Sequence, residues 1–539
     1  MTRRLRVLLG GVNLLDSAGQ YAGEDHAEFS MTPFSVSYRP LPLGLLYIAA
    51  AQRRDGETPC EYLLYDFDLP PGEPFSLDRV YEVYRGHLRD FAPDVVALSC
   101  LTMRQHPLLE RALADARAHA DDRAPGTRII VGGPSVSNEP ARFLAAGADA
   151  VALGEGEWTF TDYIDCVAAG GSPRDVAGLA LPGGDGPIRT APRALTADVD
   201  TIPMPAWDLA DIPGHLRRNR GVFASLFTHR DCPYQCIYCE HVRGFRPHGA
   251  QRVVDEIEHL RTTYGARRFD IVDAVFNQDR RRVQQIRDEL ARRDLRGKFQ
   301  NFAGLRGDIL DEPTADALQQ MGFNALSVAV ETATPRLQEL IRKRLKVDRA
   351  LQAIDLLGAR GIFVNALFMV GFPTETAEEV GDTLRAARDC AAHQSTLAKV
   401  EAYPGTALWD LALQHGLHTD VVDDAIERYG ERADPGYLEF PERDLHRMWL
   451  RGLFDIYNDP ARMGRIHDFV GGTFFRQMYR KFYGEHGVWG EELAARFERS
   501  RRGDLDYAAA AAEAEAAYGL APLDELVAGA SLAGGRRAT

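Results

Sequence analysis

Long apolar runs are missing from this sequence: no window approaches the ~18 consecutive apolar residues that a membrane-spanning helix needs. Basic charge is in deficit as well. Lys plus Arg number 63 against 78 Asp plus Glu, a formal net charge of −15, so the chain lacks the electrostatic footprint that phosphate backbones select. Neither nucleic acid nor a membrane is therefore an expected partner. No internal repeat and no long run of one charge is present. Cysteine is scarce: seven in 539 residues, an odd number, three of them within eight residues. That is not a disulfide framework, and it points to a reducing compartment with a metal or cluster site. The opening Met1-Thr-Arg-Arg-Leu-Arg-Val-Leu-Leu superficially resembles a secretory signal. Its apolar run is only as long as a buried strand and no small-residue cleavage site follows, so a cytoplasmic protein is expected. What is present is an ordinary globular balance, 45% apolar and 26% charged, over a length that suggests about three domains at ~100–200 residues each.

Residues 1–195 alternate short apolar runs with helical patterns. Leu5–Leu9, Tyr62–Tyr65, Val95–Ser99, Arg128–Val131 and Ala150–Leu153 read as strands, and Leu43–Arg54 as a helix. Continuous apolar strands between amphipathic helices imply parallel strands buried on both faces, an open α/β sheet that binds ligands at its carboxyl edge. A proline-rich bridge, Asp200-Thr-Ile-Pro-Met-Pro-Ala-Trp-Asp, resets the pattern. A second alternation has strands expected at Val222–Thr228, Phe269–Asp273, Phe299–Leu305, Ala325–Glu331, Ile362–Val370 and Thr396–Glu401. Helices such as Ala250–Tyr264 and Thr376–Ala391 lie between them. Six βα units are too few for a closed eight-fold barrel and fit a partial one. The remainder, 415–539, has no strand pattern: it is aromatic and basic around Phe469–Tyr483, has an Ala-rich helical stretch near Tyr507–Tyr518, and is expected to be helical. The expected domains are thus 1–195, 196–414 and 415–539.

Cys232-Pro-Tyr-Gln-Cys236-Ile-Tyr-Cys239 follows the first strand of the second alternation. Thiolates are soft ligands suited to iron–sulfur clusters or zinc. Three is the informative number: a four-iron cluster held by three cysteines keeps one iron open, whereas an electron-transfer cluster uses four. Zinc, with His229 or His241 as fourth ligand, is the alternative.

Cys-x3-Cys-x2-Cys with an aromatic before its last cysteine resembles the signature of the radical S-adenosylmethionine (SAM) enzymes. The resemblance implies that SAM chelates the open iron and is cleaved to a 5′-deoxyadenosyl radical, with Tyr238 leaning on the adenine. Companion segments follow in order at successive strand ends. Asp273-Ala-Val-Phe-Asn277 resembles the segment that binds the SAM amino group, though a second Asp common there is Ala274. Val330-Glu331-Thr332 is similar to the ribose-contacting Glu-Ser, with Lys343 and Lys346 downstream. Gly371-Phe-Pro373-Thr-Glu375-Thr and Tyr403-Pro-Gly-Thr406 resemble two later family segments. The resemblance spans about 200–415 and assigns SAM contacts to Tyr238, Asp273, Glu331, Gly371 and Pro373.

The first sheet lacks a dinucleotide fingerprint, since Leu9-Gly10-Gly11-Val is not Gly-x-Gly-x-x-Gly. Leu41-Pro-Leu-Gly44-Leu-Leu-Tyr-Ile-Ala-Ala resembles the first helix of the cobalamin-binding domains attached to radical SAM enzymes. Ser99-Cys-Leu101, Gly132-Gly133 and Gly154-Glu155-Gly156-Glu157 resemble further segments of that domain. The resemblance makes Ser99, Leu101, Gly132, Gly133, Gly154 and Glu155 cobalamin contacts, with Ser99 under the corrin ring. The Asp-x-His-x-x-Gly run that supplies a lower cobalt ligand is missing: His26 follows Asp25 directly, and Asp444-Leu-His446 lacks the Gly. A domain that kept the fold and lost the ligand is the alternative.

Together the two resemblances imply a class B radical SAM methyltransferase. One SAM would methylate cobalamin and a second would generate the radical that activates an unactivated carbon, or a phosphorus, of a small-molecule or peptide natural-product intermediate. An external electron donor such as flavodoxin or ferredoxin is implied. A radical cyclase or rearrangement enzyme and a cobalamin- or cluster-based sensor are the alternatives; a sensor has no use for the SAM segments. No catalytic residue is assigned. Trp449, Tyr457, Tyr479, Tyr483 and Trp489 are aromatic candidates for the substrate pocket or the core. Cys60, Cys100, Cys166 and Cys390 are scattered singles, read as small buried hydrophobes, so auxiliary clusters are not expected.

Overall fold

The computed structural model describes residues 4–12, 41–69, 73, 76–214, 224–239, 244–419, 434–471, 475, 490–501 and 521–534. His26, His241, Tyr479, Tyr483, Trp489 and the Ala-rich stretch Tyr507–Tyr518 lie outside the described residues. The chain divides into two compact units: one holds the described residues up to Cys232 together with Glu240–Phe269, the other Pro233–Cys239 and the described residues from Asp270 onward. Among the described residues no helix is long and apolar enough to cross a membrane.

The first unit is a seven-stranded sheet. Its strands are β1 (Leu5–Gly11), β2 (Cys60–Tyr65), β3 (Val95–Ser99), β4 (Arg128–Gly132), β5 (Ala150–Ala152), β6 (Leu179–Leu181) and β7 (Ile188–Arg189), in the order β2-β1-β3-β4-β5-β6-β7. Strands β1 to β5 pair in parallel. Their apolar runs are continuous because both faces are covered. Leu8, Val96, Leu98, Ile129 and Val131 pack with Tyr81, Tyr84 and Leu109 on one face. Val7, Leu9, Val95, Ala97 and Ile130 pack with Leu45, Ala49, Phe160 and Ile164 on the other. The period-2 alternation of a strand thus serves two cores at once. Strand order switches between β1 and β3, and there Gly11 lies opposite Ser99, which lies opposite Gly132, at the carboxyl edge.

Strands β6 and β7 were not expected from the sequence; they add antiparallel to β5. The signal was available: Leu-Ala-Leu and Ile-Arg flank Gly183-Gly184-Asp185-Gly186, a run of hairpin residues. Short β8 (Ala224–Leu226), β9 (His229–Arg230) and β10 (Arg246–Pro247) follow, β9 and β10 forming a small antiparallel ribbon.

The later strands are β11 (Arg268–Ile271), β12 (Lys298–Leu305), β13 (Phe323–Glu331), β14 (Phe363–Val370) and β15 (Gln394–Lys399), the last four in parallel register. This gives a Rossmann-like sheet, a partial βα barrel and a helical C-terminal part, the architecture expected from the pattern. Helix Ala250–Tyr264 has the expected bounds, and helix Ala377–Asp389 begins one residue later than read, because Thr376 and Glu379 form a reciprocal capping box. Strand β15 begins two residues earlier than expected. Gln394 and Ser395 look like loop residues, yet the Ser395 hydroxyl donates to Ala387 O at 2.8 Å and its backbone pairs with β14.

Arg462 fixes that region. Fully buried, its guanidinium lies within 2.9 Å of the carbonyls of Ala387, Arg388 and Cys390 and of the Ser395 hydroxyl. It satisfies the orphan carbonyls at the C-terminus of helix Ala377–Asp389, where the helix dipole also favours a cation. Arg462→Met keeps the bulk and removes the donors, taking the guanidinium from the Arg388 and Cys390 carbonyls, while Ala387 O keeps the Ser395 hydroxyl. We expect a loss of about 3–5 kcal/mol in the unfolding of this part, checked by chemical denaturation. A change under about 1 kcal/mol would show that water replaces the guanidinium.

Candidate functional site

At the carboxyl edge of the first sheet, Ser99 ends β3 and its carbonyl accepts from Val12 N at 2.8 Å. Leu101, two residues on, is a large apolar side chain that is 47% exposed. Gly133 has φ +120°, and a Cβ there would lie 2.2 Å from Cys100 O, so only glycine fits. Gly132 differs: its Cβ would make ordinary contact with Ala152 at 3.5 Å. Gly154 has φ +77° and open space around it. The Glu155 carboxylate is engaged: Oε2 accepts from Thr196 N at 2.8 Å and Oε1 pairs with Arg246 at 2.7 Å. Beneath this edge His106 Nε2 lies 3.1 Å from the Ser135 hydroxyl and Nδ1 lies 3.3 Å from Glu139, a buried support for the Gly133–Ser135 turn that sequence patterns do not reveal.

The boundary between the units falls within the cysteine loop, with Cys232 in the first and Cys236 and Cys239 in the second. None of the seven cysteines is in a disulfide. Among the described residues no three His, Cys, Asp or Glu side chains are gathered as they would be around a metal, so the thiols are located by their place on the loop. The stretch Pro233–Cys239 is held by backbone and side chain. Ile237 N donates to Ile341 O at 3.0 Å, and Ile237 O accepts from Leu408 N at 2.9 Å. The Tyr238 hydroxyl donates to Glu331 Oε1 at 3.2 Å, and Lys343 Nζ donates to the same oxygen at 2.8 Å. Burial, reinforced by the Glu331 charge, pushes the Tyr238 phenol well above its ordinary pKa, so it is a donor at every physiological pH. Glu331 itself sits at φ +71°, a conformation that turns the chain sharply at the end of β13. Of the two downstream lysines it is Lys343 that reaches inward; Lys346 is exposed.

Asp273 lies two residues past β11, almost fully buried, and its carbonyl accepts from Asn301 Nδ2 at 3.0 Å. Asp270 was not singled out from the sequence. Burial raises its carboxyl to about 7, against a hydrogen bond from Gln300. Asn277 clamps the Arg306 backbone, donating to its carbonyl at 2.9 Å and accepting from its N at 3.1 Å. The Arg306 guanidinium then lies 3.9 Å from the ring centre of Tyr234, in the cysteine loop.

At the end of β14, Gly371 has φ +92° and Pro373 is buried. Gly371 N and Phe372 N both donate to Glu375 Oε2, while burial raises the Glu375 carboxyl to about 8. A carboxyl whose folded pKa exceeds its unfolded value contributes stability that is complete below about pH 4.5 and declines as pH rises toward 8. Glu375→Gln should therefore flatten the fall in thermal stability of the apo chain across that window. An unchanged wild-type slope in the variant would show that Glu375 ionises freely where it sits.

Known proteins are similar to this chain along these same segments. The profile described as "B12 binding domain" matches residues 34–164, and the one described as "Radical SAM superfamily" matches 226–387. An uncharacterized methyltransferase of Pyrococcus horikoshii is 27% identical over 384 residues, covering 70% of this chain and 79% of that protein. The anaerobic magnesium-protoporphyrin IX monomethyl ester cyclase of Rubrivivax gelatinosus is 26% identical over 460 residues, covering 79% and 80%. Among solved structures, the cobalamin-dependent SAM radical enzyme OxsB with aqua-cobalamin and SAM bound matches with a TM-score of 0.64 at 14% identity, covering 99% of this chain and 84% of that one. At that identity the likeness is one of fold.

Proposed function

We propose that this chain, which matches the B12-binding domain over 34–164 and the radical SAM superfamily over 226–387, is a cobalamin-dependent methyltransferase acting on an unactivated carbon of a small molecule or peptide. The observation that carries this is the presence of both domains in one chain, with Cys232-x3-Cys236-x2-Cys239 inside the second. Methyltransferases recur among the similar proteins, including one named as a cobalamin-dependent radical SAM methyltransferase, TokK of Streptomyces tokunonensis.

The residues fit these groups. Three thiols on one short loop, none in a disulfide, form a soft donor set that would leave one iron of a four-iron cluster open. The exposed Leu101 and the unobstructed Gly132 and Gly154 form an apolar, backbone-lined edge suited to a large ring and its tail. When bound, the cluster supplies the electron that cleaves SAM, and cobalamin supplies a methyl carrier. The chain's own residues have narrower tasks. Cys232, Cys236 and Cys239 would hold the cluster. Tyr238, held by Glu331 and Lys343, would present its ring to the adenine. Asp273, Glu331, Gly371 and Pro373 would bind and orient SAM. Ser99, Leu101, Gly132, Gly133 and Gly154 would seat the corrinoid. The domain boundaries we adopt fall near 195 and 414, and an external electron donor of the flavodoxin or ferredoxin class is required.

The test is a product ratio. With hydroxocobalamin, SAM, a reductant and the substrate, each methylation should yield one S-adenosylhomocysteine and one 5′-deoxyadenosine. Deuterium from the SAM methyl should appear on an sp3 carbon of the product. Formation of 5′-deoxyadenosine without stoichiometric S-adenosylhomocysteine, and a product with no added methyl, would instead place the chain with the cyclase it resembles.

A further inference from the structure

The Gly154-Glu155-Gly156-Glu157 run does two things that its position at the sheet edge conceals. Its glycines serve the backbone: Gly154 takes φ +77°, and a Cβ on Gly156 would come within 3.2 Å of Ile48 on helix Leu43–Asp55. Its two carboxylates engage the two strands of the ribbon that flanks the cysteine loop: Glu157 meets Arg230 on the strand before it and Glu155 meets Arg246 on the strand after it. Glu157, 3% exposed, accepts from Arg230 Nη2 at 2.6 Å, and the Arg230 guanidinium lies 4.8 Å from the centre of the Tyr47 ring. Glu155 pairs with Arg246 at 2.7 Å. The same Arg246 side chain bonds to the Asp231 carboxylate and donates to Thr196 O at 2.7 Å. Arg230 and Asp231 immediately precede Cys232, and Arg246 lies opposite Arg230 in the β9–β10 ribbon. Asp231 holds φ +61°, a left-handed conformation that aspartate adopts more readily than most non-glycine residues, and its carboxylate is anchored there by Arg246.

We propose that Glu155 and Glu157 are positioning residues for the arm that carries Cys232, acting through Arg246 and Arg230, and that Glu155 is not a corrinoid contact. The electrostatics favour this division. Arg246 is shared by two carboxylates, and burial of the Glu157–Arg230 pair makes a partner removed from one side costly to the other. The Glu155 side chain is only 10% exposed; one oxygen is bonded to a backbone N–H and the other is drawn into the ion pair with Arg246, so the carboxylate faces protein rather than an open ligand seat. The two acids therefore tie the edge of the first sheet to the cysteine arm within one compact unit.

This rests on the reading that Cys232, Cys236 and Cys239 hold a cluster, so the test reads iron and corrinoid separately in the full-length chain. The protein is reconstituted anaerobically with iron, sulfide and hydroxocobalamin. Iron release to a chelator and corrinoid retained after gel filtration are then measured. Glu155→Gln and Glu157→Gln should each accelerate iron release about tenfold, the scale of one lost charge-assisted bond, with corrinoid retained as in wild type. Asp231→Asn cuts the arm from Arg246 while sparing Glu155, and should give the same acceleration even if the Glu155 variant folds poorly. Glu155→Gln combined with Arg246→Gln should be no worse than the stronger single variant, and Arg246→Lys should recover part of the loss. Corrinoid lost with iron release unchanged, no change in either, or additive effects in the double variant would each overturn the assignment. A wild-type chain that takes up corrinoid but no iron would overturn the cluster reading, and this assignment with it.

Discussion

Replacing Cys232, Cys236 and Cys239 by alanine should leave an anaerobically reconstituted chain colourless, with iron falling from about four per chain to near zero and no 5′-deoxyadenosine formed from SAM. Each single replacement should approach the same result, because a cluster already short of one protein ligand has none to spare. The loop itself should survive. Ile237 is bonded on both sides to backbone, and Tyr238 to Glu331, none of which needs a metal. Circular dichroism of the variants should therefore match that of the wild-type apo chain. The other cysteines supply the control. Cys60, Cys100 and Cys390 are buried, and burial raises the Cys60 thiol to about 11, where little thiolate forms. Their replacement by alanine should leave the iron content unchanged. One tightly held zinc with no iron in the wild-type chain would sink the cluster reading.

The second large effect belongs to the paired glycines at the end of β4, which the sequence presents as equivalent and the structure separates. Gly132→Trp should expel corrinoid while the fold persists, since the first atom of the new side chain meets only Ala152 at 3.5 Å and the indole must occupy the space along the sheet edge. Gly132→Ala should retain corrinoid. Gly133 allows neither substitution: at φ +120°, with Cys100 O 2.2 Å from a Cβ, even alanine must displace the turn that His106 and Ser135 support. Gly133→Ala should lower the thermal midpoint of the apo chain as well as corrinoid retention. Absorbance of bound corrinoid and apo-chain melting, read side by side, separate the cases. If Gly132→Trp kept corrinoid at wild-type stoichiometry, this edge would not be the corrinoid seat.

Much of this was written locally. The cysteine spacing, the Gly-Phe-Pro-x-Glu-Thr run and the order of strands and helices are short-range features, and each survives any change in how distant parts of the chain meet. Eleven strand patterns were therefore legible, as was the sheet with two covered faces, because a continuous apolar run excludes a solvated face. The β6–β7 hairpin was legible too, in its Gly-Gly-Asp-Gly turn, although strands of three and two residues give periodicity too little length to register.

What tertiary structure alone decided are the pairings over long separations. Arg230 finds Glu157 across 73 positions, and Arg462 finds the end of helix Ala377–Asp389 across 75. No local pattern marks a buried arginine as a helix cap or an anchor for a cysteine arm, because its charge reads as a surface residue until its partners are placed. The choice of Lys343 over Lys346, the left-handed turns at Glu331 and Asp231, and the intolerance of Gly133 but not Gly132 are of the same kind. Sequence determined which chemical groups this protein owns and the order in which they come; the fold decided which of them touch, since contact depends on distances that only the packed chain defines.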